Sequence, residues 1–213
     1  MLIKENKKTV DIHTENVILK GNLTIPENAK GIVIFSHGSG SSRISPRNNY
    51  VAEILQRNGL ATLLSDLLTE KEDRIYENRF DVDLLTERLI GVTNWVLKNP
   101  ETNNLNLEYF GAGTGAASAL MAAAHFGDQV KAIVSRGGRP DLGMQNIEKV
   151  KSPTLLIVGG NDELVKQLNQ KAFGKLKCER EFKILPEASQ LFEEPGKLDL
   201  VATLASDWFS KWL

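Results

Sequence analysis

Gly111, Gly113 and Gly115 alternate in the stretch YFGAGTGAASAL, residues 109–120, where an apolar run gives way to an Ala-rich segment. The spacing is that of G-x-S-x-G, the sharp strand-to-helix turn that lifts a nucleophilic serine above a sheet. Here the centre is Gly113, which has no atom to attack a carbonyl carbon. Glycine suits such a bend, because it adopts positive φ without a Cβ clash. A G-x-G-x-x-G dinucleotide fingerprint fits less well, since no glycine stands at 116 and the turn comes late in the chain. Thr114 is a weak substitute nucleophile: the residue after the turn normally offers its backbone N–H to an oxyanion while its side chain points elsewhere.

A turn of this kind needs a buried strand before it and a helix after it, and the chain supplies both repeatedly. Short apolar runs bounded by Gly, Pro and Asn alternate with stretches of helical period, the signature of a parallel sheet covered on both faces. TVDIHT and NVILKGNLTIP read as an antiparallel opening pair. GIVIFS, ATLLS, LNLEYFGA, KAIVSR, TLLIVG and EFKILP read as successive buried strands, about eight in all. Leu85, Leu89, Val92 and Val96 recur at helical spacing, as do Val201, Leu204, Ala205, Trp208 and Trp212. Both stripes read as core packing rather than cofactor contacts.

The 213 residues show no composition shift, repeat or linker, and residues 1–213 read as a single domain. With 26 Lys plus Arg against 27 Asp plus Glu the formal charge is −1, so no global field draws in nucleic acid or an acidic membrane. A small-molecule partner is expected. Cys178 is the single cysteine, and no signal-peptide order or membrane-length apolar run is visible, which fits a reducing cytoplasm. No His, Cys or carboxylate cluster has ligand spacing, so neither metal nor cofactor is expected.

Ligands of open parallel sheets bind at the carboxyl ends of the strands. The segments there are SHGSGSSRISPRN, GAGTGAAS, SRGGRPD, GGNDELV and PEASQLFEEPG. Read together with ATLLSDLLT, and in this order, they make the chain from about Gly31 to Leu213 resemble the dienelactone-hydrolase-like branch of the α/β-hydrolase fold, which includes members fused to phosphoribosyltransferase domains. The resemblance implies an α/β-hydrolase fold and a Ser, Asp, His triad acting on esters or lactones. Asp162 matches the acid, Gly113 the serine position and Gln190 the histidine position, so two of three members are absent. The base cannot be recovered elsewhere in the usual chain order, because His13, His37 and His125 all precede Asp162. Gln190 forms hydrogen bonds but takes up no proton near neutral pH.

The oxyanion apparatus is expected to survive, with the Thr114 N–H at a helix start and an N–H from the turn containing Gly38 and Ser39. His37 reads as a structural member of that turn. Arg43, Arg47, Arg136 and Arg139 lie in rim loops and could grip a carboxylate or phosphate, although pairing with Asp66, Asp141 or Glu193 is the more ordinary outcome. Asp162 is expected to cap the helix from Glu163 and to bond the Gln190 amide. Three functional readings follow. The first is a hydrolase-fold protein inactive as a serine hydrolase, either a pseudoenzyme or an engineered variant. The second is an enzyme rebuilt on Ser65 with His37, or on water held by Asp162, with Lys166 as a further polar candidate. The third is a module binding a small ester, lactone or carboxylate.

Overall fold

A computed structural model describes residues 5–213. One eight-stranded sheet runs in the order β1-β2-β4-β3-β5-β6-β7-β8. Its strands are β1 (Glu5–His13), β2 (Ile18–Pro26), β3 (Gly31–Ser36), β4 (Ala61–Ser65), β5 (Asn106–Ala112), β6 (Val130–Arg136), β7 (Thr154–Gly159) and β8 (Arg180–Leu185). β1 and β2 are antiparallel to each other and β2 to β4, whereas β4 through β8 pair in parallel. The apolar runs at 31–36, 61–65 and 154–159 are buried along their whole length, as strands covered on both faces must be. β1 begins four residues before the expected Thr9. Lys7 and Lys8 carry no apolar signal, yet this edge strand stays in register with β2 back to Glu5–Pro26.

The described residues form six α-helices: α1 (Pro46–Arg57), α2 (Glu70–Asp73), α3 (Val82–Lys98), α4 (Thr114–Phe126), α5 (Glu163–Lys175) and α6 (Lys197–Trp212), with 3-10 segments at Tyr76–Phe80, Gly127–Gln129 and Pro140–Lys149. Leu85, Leu89, Val92 and Val96 of α3 join Leu120 of α4 and Ala172 of α5 against one face of the sheet. Val51 and Leu55 of α1 join Val201, Ala205 and Trp208 of α6 against the other. The tryptophan stripe is therefore packing: Trp208 is buried, and its indole N–H reaches the Pro153 carbonyl at 3.3 Å. Local chemistry starts the helices where the stripes begin. Ser45 caps α1 with Pro46 at the first position, and Asp81 caps α3 by accepting the Leu84 N–H at 3.0 Å. Among the described residues no helix is long and apolar enough to cross a membrane.

Glu108 departs from this apolar scheme. It lies on β5 with both carboxyl oxygens buried and no hydrogen-bond partner among the described residues. Burial pushes its pKa up to about 9, so the folded protein holds it as a neutral acid. An unfolded chain releases that proton near the ordinary value of 4.5. The unfolded state thus binds fewer protons across that window, and stability falls as pH rises through it. Glu108→Gln, neutral at every pH, is expected to flatten this decline and to exceed the parent at pH 8 by on the order of a few kcal/mol, with the gap closing toward pH 5. Urea denaturation at the two pH values checks this, and parallel pH profiles would refute it.

Candidate active site

The carboxyl end of β5 runs directly into α4 through one residue. Gly113 bridges them at φ 56° and ψ −127°, a conformation that side-chain-bearing residues rarely adopt. Close approach of α4 to β3 fixes the turn: a Cβ on Gly115 would lie 2.1 Å from the Ser36 carbonyl oxygen. Position 113 is different. A Cβ there would meet only the Gly38 Cα, at 3.4 Å, an ordinary contact. The elbow therefore has the backbone of a nucleophile turn and room for a small side chain, at the cost of backbone strain.

A cavity of about 270 Å³ opens over this turn, and both Gly113 and Gln190 line it. Gln190 lies in the loop after β8, where its Nε2 donates to the Gly137 carbonyl at 3.2 Å. Asp162 does not line the cavity. Its carboxylate accepts the Val165 N–H at 3.0 Å and caps α5. The expected Asp162–Gln190 bond is not formed, because each group is taken by a nearer backbone partner. The two segments are nevertheless tied together, Asn161 N–H to the Ala188 carbonyl at 3.0 Å and Gly160 N–H to the Leu185 carbonyl at 2.8 Å. The segment carrying Asp162 is thus a hydrogen-bonded neighbour of the loop that carries position 190.

Thr114 and the loop of Gly38 and Ser39 also line the cavity, as expected. The Ser39 N–H, however, is engaged by Thr114 Oγ1 at 3.0 Å. One loop donor proposed for an oxyanion is therefore already satisfied, while Thr114 keeps its place at the start of α4. The chain gave no sign of this, since the two residues are 75 apart.

His37 is held on both sides of its ring. Nε2 accepts the Leu67 N–H at 3.1 Å, which leaves Nδ1 to donate to the Gly38 carbonyl at 3.1 Å. Burial lowers its pKa, so the ring is neutral and fully bonded. Ser65 is buried with no partner for its Oγ among the described residues, so no Ser65–His37 pair is assembled. Lys166 pairs with Glu163 on its own helix at 2.5 Å.

The four rim arginines separate sharply. Arg43 pairs with Asp66 and lines a neighbouring cavity of about 420 Å³ with His37, Lys20 and Asp73; it does not line the elbow cavity, because the 41–44 turn folds back onto the end of β4. Arg47 pairs with Glu193 at 2.5 Å, and Arg139 forks onto Asp141 with two bonds of 2.9 Å. Arg136 has no such acid. It is 7% exposed, and its Nε and Nη1 have no partner among the described residues. Burial first, and then the neighbouring Arg47 charge, bring its pKa down to about 10. It still carries a full charge at neutral pH.

The geometry stands beside clear relationships to known proteins. The profile of the dienelactone hydrolase family matches residues 19–209. The crystal structure of dienelactone hydrolase from Anabaena variabilis superposes with a TM-score of 0.95 at 53% identity, covering 98% of this chain and 99% of that one. Est1E from Butyrivibrio proteoclasticus, 16% identical with a TM-score of 0.82 and coverage of 96% and 98%, shares the fold. A Mycobacterium tuberculosis protein named "Putative phosphoribosyl transferase" is 54% identical over 193 residues, covering 91% of this chain and 44% of its own length. The chain therefore spans less than half the length of the curated relatives it matches. With its sheet order, its elbow and these matches agreeing, this chain belongs to the dienelactone hydrolase family.

Proposed function

We propose that this chain is a dienelactone-hydrolase-type protein that has lost acyl transfer by a serine triad and uses the inherited cavity to hold a small ester, lactone or carboxylate. One observation carries the reading: Gly113 keeps the elbow conformation and the space for a side chain, but has no oxygen with which to form an acyl intermediate. Gln190, lining the same cavity, supports it, because an amide cannot take a proton from a nucleophile at neutral pH. Losing the nucleophile or the base of a triad costs nearly as much rate as losing all three members, and what remains is binding and oxyanion stabilisation, roughly 10³- to 10⁴-fold over water in serine proteases.

A rebuilt enzyme draws little support. Both His37 nitrogens are committed to backbone groups, and the Asp162 carboxylate caps a helix outside the cavity wall. Phosphoribosyl transfer is not extended to this chain, which spans 44% of the relatives that carry that name. A cytoplasmic setting belongs to the same proposal, supported by a half-buried lone cysteine, Cys178.

The reversal Gly113→Ser with Gln190→His tests the reading. The double variant is expected to hydrolyse p-nitrophenyl esters and to be labelled at residue 113 by a fluorophosphonate, while the parent does neither. A folded double variant that takes no label would overturn the assignment of the elbow. Parent esterase activity abolished by Ser65→Ala or His37→Ala would establish the rebuilt site instead.

Stability measurements give a second check on the turn. Gly113→Ser is expected to cost about 1–3 kcal/mol, the strain of its backbone conformation. Gly115→Ala is expected to cost about 3 kcal/mol or more, since its methyl would overlap the Ser36 carbonyl oxygen. Equal costs in thermal unfolding would mean that the close approach of α4 to β3 does not shape the elbow.

A further inference from the structure

β8 forms one edge of the sheet, and among the described residues no strand pairs with its outer side. Its inner side holds β7 in an unbroken parallel register, from Thr154–Arg180 to Gly159–Leu185. The carbonyls of Glu179 and Leu185 face β7, where they receive the N–H groups of Thr154 and Gly160. Backbone direction alternates along a strand, so Glu181 and Lys183 face β7 as well, while Arg180, Phe182 and Ile184 turn both N–H and C=O outward. Those outward groups are a template for another strand. Few of the usual protections are present: the strand has neither proline nor bulge, and Ile184 is 42% exposed. Lys183 is a charge of the kind that blunts an edge, but Glu181 lies two residues away on the same face and bonds it at 2.5 Å.

We infer that β8 pairs antiparallel with β8 of a second copy of this chain, continuing the sheet across a two-fold axis at Phe182. Only outward-facing residues can form the ladder, so the available registers differ in steps of two residues. When Phe182 faces Phe182, Arg180 faces Ile184, and each facing pair exchanges both of its backbone hydrogen bonds. Glu181 of each copy then faces Lys183 of the other at a non-hydrogen-bonded position, where side chains come closest. One step either way sets Glu181 against Glu181 or Lys183 against Lys183, and like charges directly opposite destabilise a ladder. Charge therefore selects one register. In the single chain the Glu181–Lys183 bond is exposed and contributes little, whereas two such pairs meeting at the axis form a network of alternating sign. This match is built into the strand's own sequence, which makes a second copy its occupant and a closed two-fold dimer the result. The inference is independent of the elbow, since no residue of β8 lines that cavity.

Sedimentation velocity of the full chain between about 1 and 200 μM tests this, a range in which interfaces of modest area assemble. A species of twice the 23.6 kDa chain mass is expected. Glu181→Lys and Lys183→Glu each place like charges opposite one another on both sides of the axis, and each is expected to weaken dimerisation about tenfold or more. Mixing these two variants in equal amounts is expected to restore the dimer, because every facing pair is then opposite in sign. The exchanged double variant, Glu181→Lys with Lys183→Glu, is expected to dimerise as the parent does. Both side chains are about half exposed, so the variants are expected to keep the parent's circular dichroism and melting temperature.

The inference is overturned if the parent stays a single chain throughout the range, if the folded single variants dimerise as the parent does, or if their mixture stays unassociated. Should neither charge variant fold, Ile184→Pro takes their place. It removes an outward N–H and leaves the β7 ladder complete, so it is expected to lose the dimer while keeping the fold. A folded proline variant that dimerises as the parent does would overturn the inference equally. Neither ester hydrolysis nor labelling at residue 113 enters this readout, so the two proposals fail separately.

Discussion

The contact on which the site depends is between backbone and backbone: the first turn of α4 lies so close to the end of β3 that position 115 admits no Cβ beside the Ser36 carbonyl oxygen. That proximity leaves a single residue to reverse the chain between β5 and α4, and a single residue can do so only at a positive φ. The same turn aims the start of α4 at the loop after β3, where Thr114 Oγ1 receives the Ser39 N–H. Neighbouring side chains hold the contact in place. Ser36 and Ser118 meet through their hydroxyls at 2.8 Å, and Ser118 also reaches the Gly115 carbonyl at 3.1 Å. The strand-to-helix turn is therefore a packing solution that needs no side chain at position 113 to hold its shape.

Around that frame the polar groups have settled into other partnerships. Asp162 is a helix cap, Gln190 ties its loop to the turn after β6, and His37 joins the loop after β3 to the segment leaving β4. Each bond satisfies a backbone group, and so gives its residue a structural role. Asn169 does the same for the turn after β6, donating to the Gly138 carbonyl at 2.9 Å from a fully buried position. Arg136 falls outside this pattern, buried with its Nε and Nη1 unbonded among the described residues.

Much of this was legible in the chain. Apolar runs of strand length and the alternating glycines depend on local geometry, which neighbouring residues determine, so the parallel strands and the elbow could be read directly. The charged start of β1 was not, because an edge strand needs no apolar alternation to keep its ladder with β2. Nor could Glu108 be recognised as a neutral acid: LNLEYFGA reads as a buried strand, but the strand pattern does not say whether the carboxyl at 108 meets a partner. The arginines show the same limit. Arg47 finds Glu193 across 146 residues, and whether Arg136 would find an acid depended on which loops the fold brought to that end of the sheet.

In the proposed reading, no side chain of the folded protein attacks an acyl or phosphonyl centre in this cavity. Intact-protein mass spectrometry after exposure of the parent chain to a reactive fluorophosphonate between pH 6 and 9 tests this. An unmodified mass throughout is expected; a stoichiometric adduct mapping to Ser65, Thr114 or any other residue of the rim would contradict this reading.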